Sequence, residues 1–180
     1  MIVLREGRVD EVVRGWPGVV ELLVSVTGAG TCRALAYPPM VGEVGVDDLV
    51  LVNTTALEKG LGTGGYALVV AVPWRPPVDP PLPQGHLVKA RYTPQQVMVQ
   101  GVDEQGTAFH EVMRQADDLA GMPVVVADLH SSLPAVLAGV FAEVPGVSVA
   151  YVMSDGGCLP AWSSRAVAGL REAGWLGACV

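Results

Sequence analysis

A pattern that occurs twice between residues 123 and 160 constrains the fold of this chain more than any other feature. The segment that starts at Pro123 (PVVVADLHSSLPA) aligns without a gap on the segment that starts at Val149 (VAYVMSDGGCLPA), 26 residues further on. Each copy has an apolar run, a polar turn and a proline suited to the first turn of a helix. Two such units predict an α/β domain with a Rossmann-like parallel sheet, in which the strands at 123–128 and 149–154 are adjacent.

The segments before the repeat extend this domain to residues 86–180. Residues 96–102 have the composition of a strand, and residues 107–119 carry an apolar stripe at helical spacing, followed by Gly121 and Pro123. A helix at 107–119 that buries this stripe is therefore predicted.

The first 72 residues have a different pattern, in which short apolar runs alternate with glycine turns. Three strands within residues 2–36, a fourth after Asp47-Asp48 and a last one at 66–72 predict a small β-barrel-like domain, SH3-like or of a related type. Six prolines between residues 73 and 85 predict a stiff linker between the two domains. The predicted organisation is thus a barrel at 1–72, a linker at 73–85 and an α/β domain at 86–180.

Composition narrows the class of partner. The net charge of -7 and the pI near 4.8 argue against nucleic acid as a ligand. Three cysteines without a C-x-x-C pair, no signal-peptide pattern at Met1–Glu6 and no apolar run long enough for a bilayer predict a cytoplasmic protein that does not bind membranes. The mean hydropathy of +0.42 is high for such a chain, so a homo-oligomer is expected.

The predicted ligand site lies at the carboxyl ends of the two repeated strands, because ligands of open α/β sheets bind there. The polar residues that follow each strand are Asp128, His130, Ser131 and Ser132 in the first copy, and Ser154, Asp155, Gly156, Gly157 and Cys158 in the second. Amides at the two helix starts suit a small anionic or polar molecule, held by Ser131, Ser132, Ser154, Gly156 and Gly157.

Several roles remain open for the ionisable members of this set. Cys158 could act as a nucleophile with His130 as its base and Asp128 as the residue that orients the base. Asp128, His130 and Asp155 could instead ligate a divalent metal, but no spacing motif supports this, so no metal site is predicted and the cofactor stays unknown. A third reading makes the serines and Asp155 simple helix caps and the Gly156-Gly157 pair a simple turn.

Two further motifs have both a functional and a structural interpretation. Gly60–Gly65 matches G-x-G-x-x-G, but a β-rich run follows it instead of a helix, which favours a glycine turn with positive φ over a phosphate site. Lys89 and Arg91 alternate along a predicted strand, where they would lie at a solvated edge or reach an anionic ligand.

The chain resembles a bacterial family of proteins known as a domain of unknown function, whose members are longer. The resemblance spans nearly the whole chain and is carried by Asn53-Thr54-Thr55, Gly60–Tyr66, His86–Pro94, Gly121–Val126, Leu129-His130-Ser131 and Ala150–Gly156. It implies no activity, cofactor or catalytic residue. Because residues 174–180 have the pattern of a turn and the start of another strand, the chain is expected to lack a C-terminal part.

Two functions are compatible with these patterns. The first is the binding, with or without turnover, of a small anionic or polar molecule at the strand ends. The second is a non-catalytic module for protein interaction or assembly, whose apolar surfaces bind protein partners.

Overall fold

The computed structural model describes residues 1–76, 78–79, 84–154 and 156–180. The chain divides into two compact units: Met1–Leu82 with Ala90–Val97, and Pro83–Lys89 with Met98–Val180. Part of the predicted proline linker, including the prolines at 77, 80, 81 and 83, lies outside the described residues.

The first unit is a closed five-stranded barrel. Its strands are β1 (Leu4–Trp16), β2 (Val19–Val26), β3 (Gly30–Ala36), β4 (Leu49–Asn53) and β5 (Tyr66–Ala71). Two short helices connect them, α1 (Pro38–Val41) after β3 and α2 (Thr55–Glu58) after β4. The predicted N-terminal barrel is confirmed.

The strand order of the barrel is β1-β2-β3-β5-β4. The first three strands form the antiparallel meander that the glycine turns predict, but β3 pairs with β5 in parallel, and β4 closes the barrel between β5 and β1.

Alternation along the strands fills the inside of the barrel with small aliphatic side chains. Val9, Leu22, Val24 and Val52 are fully buried there. Gly7 is needed at one close approach, because a Cβ at this position would lie 2.6 Å from Val24 Cγ1.

The second unit is a mixed α/β structure with a small core. Its helices are α3 (His110–Gln115), α4 (Leu133–Glu143) and α5 (Arg165–Glu172), with 3-10 turns at His130–Ser132 and Ala161–Ser163. The remaining strands are β6 (Leu87–Lys89), β7 (Val97–Val99), β8 (Ala150–Tyr151) and β9 (Ala178–Cys179), in the two-stranded sheets β6-β7 and β8-β9. The core is formed by Leu133, Leu137, Val167 and Leu176.

The prediction of a Rossmann-like sheet was wrong. Residues 123–128 form no strand, and the exposed fractions of Val124 and Val126 are 64% and 90%. The parallel partner of β8 is β9, which follows α5, so the parallel pair is formed one element later than predicted. An apolar run shows that a segment could be buried but does not reveal whether a neighbouring strand covers it.

The helix predicted at 107–119 is shorter than its pattern suggests. Helix α3 ends at Gln115, and Phe109, Val112 and Leu119 of the predicted stripe are exposed. Among the helices of the described residues, none combines the length and the hydropathy of a membrane span.

Candidate functional site

The polar residues of the first repeat lie immediately before α4. His130, Ser131 and Ser132 form a 3-10 turn, and Pro134 stands in the first turn of the helix, as the sequence predicts. Ser132 does not cap α4 with its side chain, because its Oγ donates a hydrogen bond to the Leu129 carbonyl at 2.6 Å. Asp128 and Ser131 are exposed to solvent.

The corresponding residues of the second repeat form a turn without a helix directly behind it. The amide of Gly157 donates to the Ser154 carbonyl at 3.0 Å, which closes the turn. Gly156 and the free thiol of Cys158 are exposed, and Asp155 lies outside the described residues. The next helix, α5, starts only at Arg165. Cys158 therefore does not lie at the start of an α-helix.

Lys89 reaches the turn of the second repeat from β6. Its exposed fraction is only 6%, and its Nζ donates to the Gly157 carbonyl at 3.1 Å. Gly157 itself packs closely on its neighbours, since a Cβ there would lie 2.6 Å from Met153 Sδ. An ammonium group is thus held against the Gly156-Gly157 turn. This hydrogen bond connects Lys89 with the second repeat, two features that no sequence pattern links.

His130 is the centre of a second group of polar side chains. Its Nδ1 lies 2.8 Å from Tyr151 Oη, and its Nε2 lies 2.6 Å from Ser164 Oγ. Tyr151 belongs to β8, and Ser164 is the N-cap of α5, where its Oγ also accepts a hydrogen bond from the Val167 amide at 3.3 Å. All three side chains are partly buried beside the core of the second unit.

Burial changes the acid–base properties of this group. Desolvation lowers the pKa of His130, because an imidazolium would lose part of its hydration. The pKa of the Tyr151 phenol is raised, first by burial and second by the charge of Cys179. Both shifts favour neutral side chains near neutral pH.

Sequence reasoning identified His130 but missed its two partners. Ser164 precedes the helical stretch RAVAGLRE, so it carries the signature of an N-cap that could have been recognised. Tyr151 stands within an apolar run and gives no comparable signal. Among the described residues, no hydrogen bond or ion pair joins the 130–132 turn to the 154–158 turn.

The metal interpretation finds no support in the described part of the chain. There, no group of three or more His, Cys, Asp or Glu side chains is arranged to hold a metal ion. Asp155, one of the three predicted ligands, is outside the described residues.

The glycine motif of the first unit is a turn. Gly60, Gly62, Gly64 and Gly65 all have positive φ, between 54° and 83°, and the strand β5 follows directly. The interpretation as a glycine turn agrees with this geometry.

The protein is a two-unit protein with a five-stranded barrel and a small α/β unit. The α/β unit contains a buried lysine and a histidine with two hydrogen-bond partners. Residues 33–180 match the family model described as "Protein of unknown function (DUF3866)", so the chain belongs to that family, as the resemblance predicts. Neither a search of curated proteins nor a search of solved structures found a match.

Proposed function

We propose that the second unit binds a small anionic or polar molecule at the Gly156-Gly157 turn. The observation that supports this is the buried Lys89, whose ammonium group donates to the Gly157 carbonyl at 3.1 Å. The ammonium group places a positive charge beside an exposed glycine turn, within a chain whose net charge is -7.

The chemistry of this turn favours a phosphate or carboxylate group. Lysine binds such groups as a point charge, and a hydrogen bond that involves a charged group is roughly twice as strong as a neutral one. Gly156 has no side chain and is exposed, so the backbone of the turn is open to a ligand that approaches from solvent.

Replacement of Lys89 by methionine is expected to weaken anion binding by about tenfold or more, since a hydrogen bond to a charged group contributes about 1.5–3 kcal/mol. Methionine keeps an unbranched apolar stem and removes the charge. The measurement is isothermal titration of the full chain with inorganic phosphate, sulfate and malonate.

The chain offers a matched control, because Lys59 is its second lysine and is exposed in the first unit. Lys59→Met removes the same charge and should leave the affinity unchanged. Equal losses in both variants, or no heat of binding in the parent chain, would contradict the proposal. A melting curve of Lys89→Met checks that the variant is folded.

A second function, self-association, is supported by an exposed apolar segment. It comprises Met122, Val124, Val125, Val126 and Leu129, each 62–90% exposed. We propose that a second copy of the chain covers this segment. Two copies of the same segment can face each other across a two-fold axis. Valine has a high propensity for β-strands, and exposed segments that can form strands tend to pair with another chain.

Val125→Lys is expected to convert an associated form into monomers, because a charge in the middle of the apolar segment must be desolvated on pairing. Val46→Lys, at an exposed valine of the first unit, serves as the control and should leave association unchanged. The measurement is sedimentation velocity over a range of concentrations. A parent chain that sediments as a monomer at high concentration rules out this function.

A further inference from the structure

The polar group around His130 has the arrangement of a nucleophile and its base. Ser164 Oγ lies 2.6 Å from His130 Nε2, within the distance at which a histidine removes a hydroxyl proton. On the other side of the ring, Tyr151 Oη lies 2.8 Å from Nδ1. The histidine is therefore held on both sides, as in serine hydrolases where a third group orients the base.

One of the two neutral tautomers of His130 leaves the ring able to take the Ser164 proton. With its proton on Nδ1, the ring donates to Tyr151 Oη and leaves Nε2 as an acceptor for the Ser164 hydroxyl. Ser164 Oγ can then also accept the Val167 amide, because a hydroxyl donates once and accepts twice. The opposite tautomer would make Ser164 only an acceptor from the ring.

We propose that Ser164 and His130 form a catalytic pair that hydrolyses activated carboxylic esters or thioesters. The assignment depends on the geometry of the three side chains and is independent of Lys89. All three residues are partly exposed, and the proposal places the carbonyl group of the substrate on the solvent side of Ser164.

The reaction that follows is an ordinary acyl transfer. Ser164 Oγ forms a bond to the carbonyl carbon while its proton moves to His130 Nε2. The bond from this carbon to the leaving oxygen or sulfur breaks, and the leaving group takes the proton from Nε2. Water then attacks the acyl-serine, gives its proton to Nε2, and releases the acid as Ser164 Oγ takes the proton back.

The N-terminus of α5 lies at the side chain that would react. Ser164 is the N-cap of this eight-residue helix, so the positive end of the helix dipole lies at its side chain. The Val167 amide already donates to Ser164 Oγ, and the positive end of the dipole favours the negative charge that develops on the carbonyl oxygen of the substrate.

The substrate class follows from Tyr151, which takes the place of the carboxylate of a hydrolase triad. A phenol orients the ring but carries no charge to stabilise the imidazolium that forms during the reaction. The pair therefore suits substrates with good leaving groups, such as aryl esters and thioesters, rather than amides. Tyr151 acts through His130 and is a positioning residue.

The test uses the full chain with p-nitrophenyl acetate as substrate and an alkyl fluorophosphonate as covalent probe. The expected result is steady hydrolysis above the buffer rate and a single phosphonyl adduct, located on Ser164 by peptide mass spectrometry. His130→Asn should slow both reactions by about 100-fold or more, the usual contribution of a general base. Tyr151→Phe keeps the packed ring and should lower kcat at an unchanged KM.

Matched variants separate a catalytic from a structural role of Ser164. Ser164→Asn keeps a good helix cap, since asparagine and serine are equally favoured there, but it removes the nucleophile. It should abolish labelling and hydrolysis while its melting curve stays close to that of the parent. Ser163→Ala, at the neighbouring serine, should retain both reactions. An adduct on another residue, labelling of Ser164→Asn at the parental rate, or no hydrolysis by the parent overturns the proposal.

Discussion

Leu137→Ala is expected to destabilise the second unit by about 3 kcal/mol, within the range of about 2–5 kcal/mol for leucine truncations in cores. Leu137 is 0% exposed and lies in a core of only four buried residues, Leu133, Leu137, Val167 and Leu176. Truncation of one of these residues removes a large part of the packing of the core, because a small core buries little apolar area. Both of the longer helices, α4 and α5, depend on this core.

The measurement is urea unfolding followed by far-UV circular dichroism, since α4 and α5 both belong to the second unit. Leu119→Ala is the matched control, because Leu119 belongs to the same unit but is 61% exposed. It should change the free energy of unfolding by no more than about 0.5 kcal/mol. A similar small effect of Leu137→Ala would mean that this core does not hold the unit together.

The second large effect is expected at Glu21 of the barrel. Its carboxylate is 2% exposed and accepts hydrogen bonds from Arg14 Nε at 2.8 Å and from Arg33 Nε at 3.0 Å. Arg33 also contacts the Tyr66 hydroxyl, and its guanidinium lies 4.3 Å above the Tyr66 ring. Burial alone would raise the pKa of Glu21, but hydrogen bonds from Arg33, Arg14 and Tyr66 outweigh it and lower the pKa to about 2.

Glu21→Gln is expected to destabilise the barrel by about 2 kcal/mol near neutral pH. Removal of one partner from a fully buried ion pair costs about 3–5 kcal/mol. The smaller value is expected because Arg14 and Arg33 are about half exposed and can be hydrated again. Glu11→Gln, at an exposed position of the same barrel, is the control and should have little effect.

The difference between the parent and Glu21→Gln should depend on pH in a defined direction. The folded pKa of about 2 lies below the ordinary value of 4.5, so the unfolded chain binds more protons between these values. The stabilisation from Glu21 is therefore complete above about pH 4.5 and is lost as the pH falls towards 2. Thermal melts of both chains between pH 2 and 7 measure this. A constant difference over that range would contradict the ion-pair explanation.

The anion-binding and hydrolysis proposals concern different side chains of the second unit and fail separately. Anion binding depends on the charge of Lys89, whereas ester hydrolysis depends on the hydroxyl of Ser164 and the ring of His130. A Lys89→Met chain that still hydrolyses p-nitrophenyl acetate would leave the catalytic proposal intact. A Ser164→Asn chain that still binds phosphate would leave the binding proposal intact.

Much of the barrel could be predicted from the sequence because its information is local. Alternating apolar residues and glycine turns predict the strands, and Val9, Leu22 and Val24 are indeed buried on one side. The parallel pairing of β3 with β5 cannot be predicted from local patterns, since that contact joins residues more than 30 positions apart.

In the second unit the sequence by itself determined the helix start at Pro134 and the last strand near residue 178. Only the tertiary structure decided that Val124–Val126 stay outside any sheet, and that His130 meets Tyr151 and Ser164. The physical reason is the range of the interactions. Caps and turns form between neighbours in the chain, whereas strand partners and hydrogen-bond partners of a side chain depend on which distant segments pack together.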